Sequence, residues 1–225
     1  EEGCRDCGFF KLCRGSSGSS VTDSFMNKVG DIILLSILWI VCSLPVVTIG
    51  TAACAAYYTA AKVLRHHNGY VSKEFFRSFK RNFRASIGLN LIYLVLAVML
   101  VFNLMYFKGS ATEISFYLRC VYIVLGFIIF GVMLYTYILL SRFELGSGKL
   151  FGMAFVICFR HLHITAALVG MCAAAAVLVY LMPWAVLILP GLAFYGMTFP
   201  AEHVMKKYMR RPESGSKEED TWYYN

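Results

Sequence analysis

The sequence predicts an all-α protein, a polytopic transmembrane helical bundle of about six spans arranged as three hairpins. Two observations lead to this fold class. Of the 225 residues, 59% are apolar and only 15% are charged, whereas a soluble domain carries about 25% charged residues. In addition, four long stretches contain no Asp, Glu, Lys, Arg or His, and they cover residues 32–61, 85–107, 120–141 and 164–201.

The lengths of these uncharged stretches predict the number of spans. A bilayer core is crossed by about 20 apolar helical residues. The second and third stretches therefore fit one crossing each, and the first and fourth are long enough for two short crossings each. Lipid cannot satisfy exposed backbone groups, so the crossings are expected to be helices. None of the stretches shows the period-2 alternation of a membrane β-barrel.

The first uncharged stretch is divided by a proline. We expect helix 1 over about 28–44, ending at Pro45, and helix 2 over about 51–64, where repeated alanines favour close helix packing. The residues between them are too few for an open loop, and they predict a tight turn or a re-entrant corner. Proline cannot continue the helix and glycine permits unusual dihedrals. The structural corner is predicted at Leu44, Pro45, Thr48 and Gly50.

The remaining helices are predicted over about 86–107, 113–140, 163–182 and 184–205. The last one contains Pro190 and Pro200, which predict a kink. Residues 1–24 are expected to form a polar flexible N-terminal tail, residues 25–207 the transmembrane domain, and residues 208–225 a disordered cytoplasmic tail.

The distribution of basic residues predicts the orientation of the chain. The net charge is +8. If the N terminus lies inside, all 21 lysines and arginines except Lys108 and Arg119 fall on the cytoplasmic side, which is the bias that membrane proteins show. Both termini are then cytoplasmic, and the positive charge is explained by anionic lipid headgroups rather than by nucleic acid.

The segment 72–84 predicts an amphipathic interfacial helix. At 100° per residue, its phenylalanines share one arc and its basic residues share the next. Such a helix is suited to the headgroup layer, and a docking helix for a cytoplasmic partner is the alternative. The predicted lipid or partner surface consists of Lys73, Phe75, Phe76, Arg77, Phe79, Lys80, Arg81, Phe83 and Arg84.

The sequence contains no pattern that predicts a catalytic, cofactor or metal site. A proton-driven carrier usually needs an ionisable residue inside the membrane, and Glu202 is expected at a helix end, where snorkelling makes a charge inexpensive. The GxxxxGK[ST] phosphate loop and the GxSxG nucleophile elbow are both missing. His161 and His163 do not share a helix face, and the Cys4–Cys7 pair has no second CxxC. We therefore expect no enzymatic activity.

The opening of the chain resembles the YesL-like family of bacterial integral membrane proteins, a domain of unknown function (624). The resemblance rests on Phe25, Trp39, the run from Cys42 to Gly50 (CSLPVVTIG), Ala55, Tyr57, Tyr58, Gly69 to Val71, Phe75, Phe76 and the run from Phe79 to Phe83 (FKRNF). It implies a multi-pass protein of the bacterial inner membrane, often encoded beside ABC-type sugar-uptake genes. No functional residues are known for the family, so none are carried over.

Two functional hypotheses follow. The first is a non-enzymatic accessory or interaction protein linked to carbohydrate uptake, with an ABC sugar transporter, a membrane sensor or a second copy of the chain as partner. The second is a small transporter or channel component with a neutral polar pathway near residues 48–58 and Asn90. The polar residues there have a simpler interpretation as interhelical hydrogen bonds.

Overall fold

A computed structural model describes residues 20–66, 69–106, 113–142 and 147–208. Within these ranges the chain is almost entirely helical and contains no strand, which confirms the all-α prediction. The α-helices are α1 (Ser20–Ser43), α2 (Ile49–Thr59), α3 (Val71–Tyr106), α4 (Glu113–Arg142), α5 (Ser147–Arg160), α6 (Leu162–Leu181) and α7 (Leu189–Tyr208). Short 3₁₀ turns cover Val46–Thr48 and Pro183–Leu187, and α2 continues as a π-helix over Ala60–Arg65.

Three helices in the described ranges are long and apolar enough to cross a membrane. They are Val71–Tyr106, Ile114–Arg142 and Leu162–Leu181. These three agree with the predicted third, fourth and fifth spans. The prediction of six spans remains a prediction for the other helices.

The α2 helix is the buried centre of the bundle. Three of its alanines, Ala52, Ala55 and Ala56, have no exposed surface. Small side chains let neighbouring helix backbones approach closely, and α2 packs against α1, α3, α4 and α7. The predicted alanine-rich packing helix is therefore enclosed by protein rather than by lipid.

Helices α2 and α3 run antiparallel. Three side-chain contacts follow one another along the pair: Lys62 meets Glu74, Cys54 meets Asn82, and the carbonyls of Val46 and Val47 meet Asn90. Asn90 lies 16 residues before Tyr106 (from 90 to 106), so α3 continues for about 24 Å beyond the tip of the α1–α2 hairpin. The first hairpin is therefore shorter than its neighbour α3–α4.

A close contact fixes α1 against α7. The backbone N–H of Gly191 donates to Ser36 Oγ at 2.9 Å, and Ser36 Oγ donates to the carbonyl of Ile32 at 3.0 Å. A Cβ atom at position 191 would collide with the Ile32 carbonyl oxygen. Glycine is required here because the backbones of the two helices nearly touch.

Several predicted boundaries were wrong. Helix 1 begins at Ser20, so the helix includes the last residues of the predicted flexible tail. The third helix begins at Val71 rather than at residue 86, so segment 72–84 is not a separate helix. Its apolar and polar residues continue the 3.6-residue period of the span, and no proline or internal glycine interrupts it before Gly88. Residues 1–19 and 209–225 lie outside the described residues.

Candidate functional site: the basic face of α3 and the buried charges beside it

The first half of α3 has one buried face and one exposed basic face. Val71, Phe75, Ser78, Asn82 and Ser86 are buried at helical spacing. The five basic residues of the predicted surface are all exposed. We call them the basic face: Lys73, Arg77, Lys80, Arg81 and Arg84. Because they belong to the same rigid helix as a candidate span, their position is fixed relative to the bundle.

The sequence predicts that the phenylalanines of this segment share one exposed face. The structure shows that they do not. Phe75 is completely buried and packs in a cluster with Leu35 and Ala60. Phe79 is partly buried, and its ring stacks on that of Phe75 with 6.1 Å between the centroids. Phe83 and Phe76 are exposed. The prediction fails for Phe75 because α1, α2 and the π-helix cover the first turns of α3, which the helical period alone does not reveal.

Two members of the basic face have partners within the bundle. The Arg81 guanidinium lies over the Tyr58 ring, 5.3 Å from its centroid, and donates to the Ser141 carbonyl at 3.2 Å. The Arg77 guanidinium lies 3.9 Å from Glu74 Oε1. Lys73, Lys80 and Arg84 are the members best placed for contact with an external anion.

A buried ion pair joins α3 to the π-helix. Lys62 Nζ donates to Glu74 Oε2 at 2.9 Å, and both side chains are at least 90% buried. Burying two charges is costly unless each has its partner. The pair therefore fixes the register of the π-helix against the first turn of α3. The π-helix is a rare geometry that often marks a functional position.

A second group of buried charges, which we call the Glu202 cluster, comprises Arg65, His66, Arg142 and Glu202. Arg142 Nη2 donates to Glu202 Oε1 at 2.8 Å, and the two side chains are 3% and 2% exposed. Arg65 Nη1 lies 3.2 Å from Glu202 Oε2, and His66 Nε2 lies 3.7 Å from the same oxygen. The cluster thus joins the π-helix, α4 and α7 through one carboxylate.

The sequence does not indicate this cluster. Glu202 was expected to snorkel from a helix end, but the residue is 1% exposed. Its partners are 60 residues or more away in sequence, so no local pattern connects them. The only available signal is that an acidic residue and two arginines each border an uncharged stretch on the predicted cytoplasmic side. This signal predicts that the three residues lie at a similar depth in the bundle. It does not predict that they form ion pairs with one another.

Burial lowers the pKa of His66, and the neighbouring Arg65 and Arg142 guanidiniums act in the same direction. The Glu202 carboxylate opposes this effect without reversing it. His66 therefore resists protonation in the folded protein. The imidazole fills a place beside the carboxylate that the two arginines already neutralise.

The structural corner is present as a 3₁₀ turn that follows Pro45. Thr48 Oγ1 donates to the Cys42 and Pro45 carbonyls at 2.7 and 2.8 Å, while Leu44 and Pro45 are exposed. Gly50 is buried beneath the Tyr137 ring. Asn90 of α3 also contacts the corner.

The Asn90 side chain binds the corner to the α3–α4 hairpin. Its amide nitrogen donates to the carbonyls of Val46 and Val47 at 3.0 and 2.9 Å, and its amide oxygen accepts from the Tyr137 hydroxyl at 3.0 Å. Asn90 thus donates to both carbonyls of the turn, and the Val46 carbonyl also accepts from the backbone N–H of Ile49. The sequence placed Asn90 in a possible polar pathway but did not connect it with the corner.

Other neutral polar side chains of the apolar helices also form hydrogen bonds within the protein. Thr59 donates to the Ala55 carbonyl at 2.8 Å, and Asn103 donates to the Met99 carbonyl at the same distance. Thr136 donates to the Val132 carbonyl at 2.8 Å, and its hydroxyl lies 2.7 Å from the Tyr93 hydroxyl. These contacts favour the interpretation of these groups as packing contacts.

The described residues include no group of three or more His, Cys, Asp or Glu side chains placed to hold a metal ion. The rings of His161 and His163 are 6.1 Å apart between centroids. Cys4, Cys7 and His67 lie outside the described residues.

The fold fits a helical membrane protein with a basic face at one end. A family model described as "Protein of unknown function, DUF624" matches residues 32–104. The match includes the corner, α2 and most of α3, and it covers less than half of the chain. No curated protein matches the chain, and no solved structure matches it. The chain is therefore similar over this part to a family whose function is unknown.

Proposed function

We propose that the protein is a non-enzymatic accessory protein of a bacterial inner membrane that supports carbohydrate uptake by an ABC-type transporter. It crosses the membrane several times, with both termini in the cytoplasm. The observation that carries the proposal is the continuity of α3. A single helix combines a candidate membrane span with an exposed basic face, so a membrane-embedded body and a charged cytoplasmic surface move as one unit.

The basic face is suited to the anionic headgroups of the inner leaflet. Lys73, Lys80 and Arg84 are exposed, and the nearby Phe76 and Phe83 also reach the surface. Exposed aromatic rings beside basic residues are typical of surfaces at the headgroup level. Each basic residue near an anionic surface contributes about 1 kcal/mol of attraction. This contact would anchor α3 at a defined depth.

The partner contact is proposed on the apolar sides of the spans. Large apolar side chains are exposed along the second half of α3 and the first half of α4, including Leu91, Val95, Ile114 and Val121. Between membrane helices, packing and hydrogen bonds replace the hydrophobic effect as the driving force. The transporter as partner follows from the family resemblance, because gene neighbourhood rather than a site supports it.

The alternative is a small transporter or channel component. One observation favours it: the hydroxyls of Thr51 and Ser86 are buried and have no hydrogen-bond partner among the described residues. Both belong to the antiparallel α2–α3 pair, near Asn90. Water or a neutral polar solute would satisfy such groups.

Co-purification from native membranes tests the proposal. The tagged chain is extracted in mild detergent, and its partners are identified by mass spectrometry. The accessory function predicts enrichment of sugar-transporter subunits. A chain that purifies alone and takes up sugar in proteoliposomes would establish the alternative instead.

A charge-reversal series tests the lipid contact separately. The variant combines Lys73→Glu, Lys80→Glu and Arg84→Glu. A matched control combines Lys28→Glu, Lys149→Glu and Arg160→Glu, which are exposed basic residues outside the basic face. We expect only the first variant to lose preference for nanodiscs that contain anionic lipid. Equal loss in both variants would show that net charge, rather than this face, determines the preference.

A further inference from the structure

We infer that the turn between α1 and α2 contacts the acyl chains of the cytoplasmic leaflet, and that the α1–α2 hairpin enters the bilayer from that side without crossing it. We call residues 41–49, which include most of the corner, the hairpin tip. The inference rests on the lipid contact that we propose for the basic face. It does not depend on the transporter partner.

The hairpin tip presents an apolar surface. Its exposed side chains include Leu44, Val41 and Val46, which are 76%, 56% and 51% exposed. No residue of the tip is charged. A contiguous exposed apolar surface marks a contact with a membrane or with another protein. The tip is therefore a contact surface rather than an ordinary solvated turn.

The backbone of the hairpin tip is suited to surroundings without water. The Thr48 hydroxyl donates to two carbonyls of the tip, at 2.7 and 2.8 Å. Asn90 donates to the carbonyls of Val46 and Val47, at 3.0 and 2.9 Å. Four carbonyls of an exposed turn thus have donors within the protein. Lipid offers no donor, so irregular backbone is tolerated at membrane depth only where the protein supplies such partners.

The length of α3 sets the depth of the hairpin tip. Arg84 is the last residue of the basic face, and Asn90, which contacts the tip, follows it on the same helix. At 1.5 Å per residue, the rise from 84 to 90 is about 9 Å, and the rise from 84 to Tyr106 is about 33 Å. The hydrocarbon core of a bilayer is about 30 Å thick. With the basic face in the headgroup layer, α3 crosses the core and the tip ends short of the midplane.

The order of the exposed surfaces favours lipid over a protein partner. The exposed cations of the basic face come first, and the apolar tip follows about 9 Å further along α3. A leaflet presents anionic headgroups and then hydrocarbon in the same order. Beyond the tip, the exposed side chains of Leu91 and Val95 continue the apolar surface along a candidate span. The tip therefore joins a surface that faces the acyl chains.

Depth-dependent fluorescence quenching in nanodiscs tests the inference. A fluorescent amino acid is incorporated genetically into the full chain in place of Val46, Lys80 or Val95, all of which are exposed. The quenchers are aqueous iodide and phospholipids that carry a nitroxide on the headgroup, near the start of the acyl chain or near its end. We expect the headgroup nitroxide to quench best at position 80. The nitroxide near the start of the chain should quench best at position 46, and the one near the end at position 95.

Three results would overturn the inference. Quenching at position 46 by iodide rather than by lipid would place the hairpin tip in water. Protection of position 46 from both quenchers would indicate a protein partner on the tip. Quenching at position 95 by iodide or by the headgroup nitroxide would show that the tip reaches the opposite leaflet.

The probe at position 80 separates this inference from the proposed lipid contact. If headgroup nitroxide fails to quench at Lys80, the lipid contact of the basic face is wrong. If quenching at Lys80 is as expected but one of the three results above is found, only the hairpin inference is wrong. Leu44 is a second tip position for the probe and gives the same readout if replacement of Val46 prevents folding.

Discussion

Glu202 on α7 accepts a hydrogen bond from Arg142 at the end of α4, at 2.8 Å, and both side chains are almost completely buried. The last residues of α4 and α7 are thereby held together at the end of the bundle that also carries the basic face. Arg65 approaches the same carboxylate from the π-helix and donates to the Thr198 carbonyl at 2.9 Å. One acidic residue therefore organises three helix ends.

Glu202→Gln should destabilise the folded protein. The substitution keeps the size of the side chain but leaves Arg142 buried without a counter-charge, and breaking a buried ion pair in this way costs about 3–5 kcal/mol. Thermal unfolding in detergent, followed by circular dichroism, would measure the loss. The control is Arg84→Gln, which removes an exposed charge and should have little effect. Equal stability of Glu202→Gln and the unmodified chain would show that the cluster is not a stabilising contact.

Acidification should destabilise the protein through His66. Burial lowers the pKa of this imidazole below its usual value of about 6.5. In the window between the lowered pKa and that value, the unfolded chain binds a proton that the folded chain does not, so stability falls as the pH falls. His66→Gln should reduce this dependence, whereas His163→Gln, at an exposed position, should not. Unfolding temperatures across this window, compared between the two variants, provide the measurement.

The sequence predicted the fold class because uncharged stretches and flanking charges are local properties. The 3₁₀ turn lies between Pro45 and Gly50, two residues whose effect on the backbone is local and can be seen in the sequence. The sequence did not predict which groups would meet across the bundle. Phe75 and Phe83 have the same residue type and belong to the same predicted face, yet only Phe75 is covered by α1 and α2.

The same limitation explains why the sequence did not predict the buried ion pairs. The sequence predicts only that Lys62 lies on the cytoplasmic side of the membrane, and it does not pair this residue with Glu74. Their pairing depends on the register of α2 against α3, which is fixed by contacts such as that of Asn90 with the corner. Register is a tertiary property, and neither composition nor helical period specifies it.

Asn90→Leu should loosen the corner. The carbonyls of Val46 and Val47 would lose their shared donor, and the buried Tyr137 hydroxyl would lose its acceptor. An unsatisfied buried polar group costs about 1–3 kcal/mol. Asn103→Leu is the matched control, because Asn103 is less buried and donates to the Met99 carbonyl of its own helix. Hydrogen exchange of residues 44–50 would report the change. Faster exchange in Asn90→Leu alone is expected, and unchanged exchange would show that Thr48 is sufficient to hold the turn.

Gly50→Ala and Gly88→Ala should have opposite effects on stability. A Cβ atom at position 50 would lie 2.7 Å from Tyr137 Cζ, which is too close for a real contact, so either α2 or the Tyr137 ring must move. Movement of the ring would also break its hydrogen bond to Asn90. At position 88 a Cβ meets nothing within 4 Å, and replacing glycine by alanine inside a helix stabilises it by about 0.8–1.0 kcal/mol. Thermal unfolding of both variants in the same detergent would measure the difference. A stabilising effect of Gly50→Ala would mean that the Tyr137 ring does not cover the corner, and the contact between α2 and α4 described above would then be wrong.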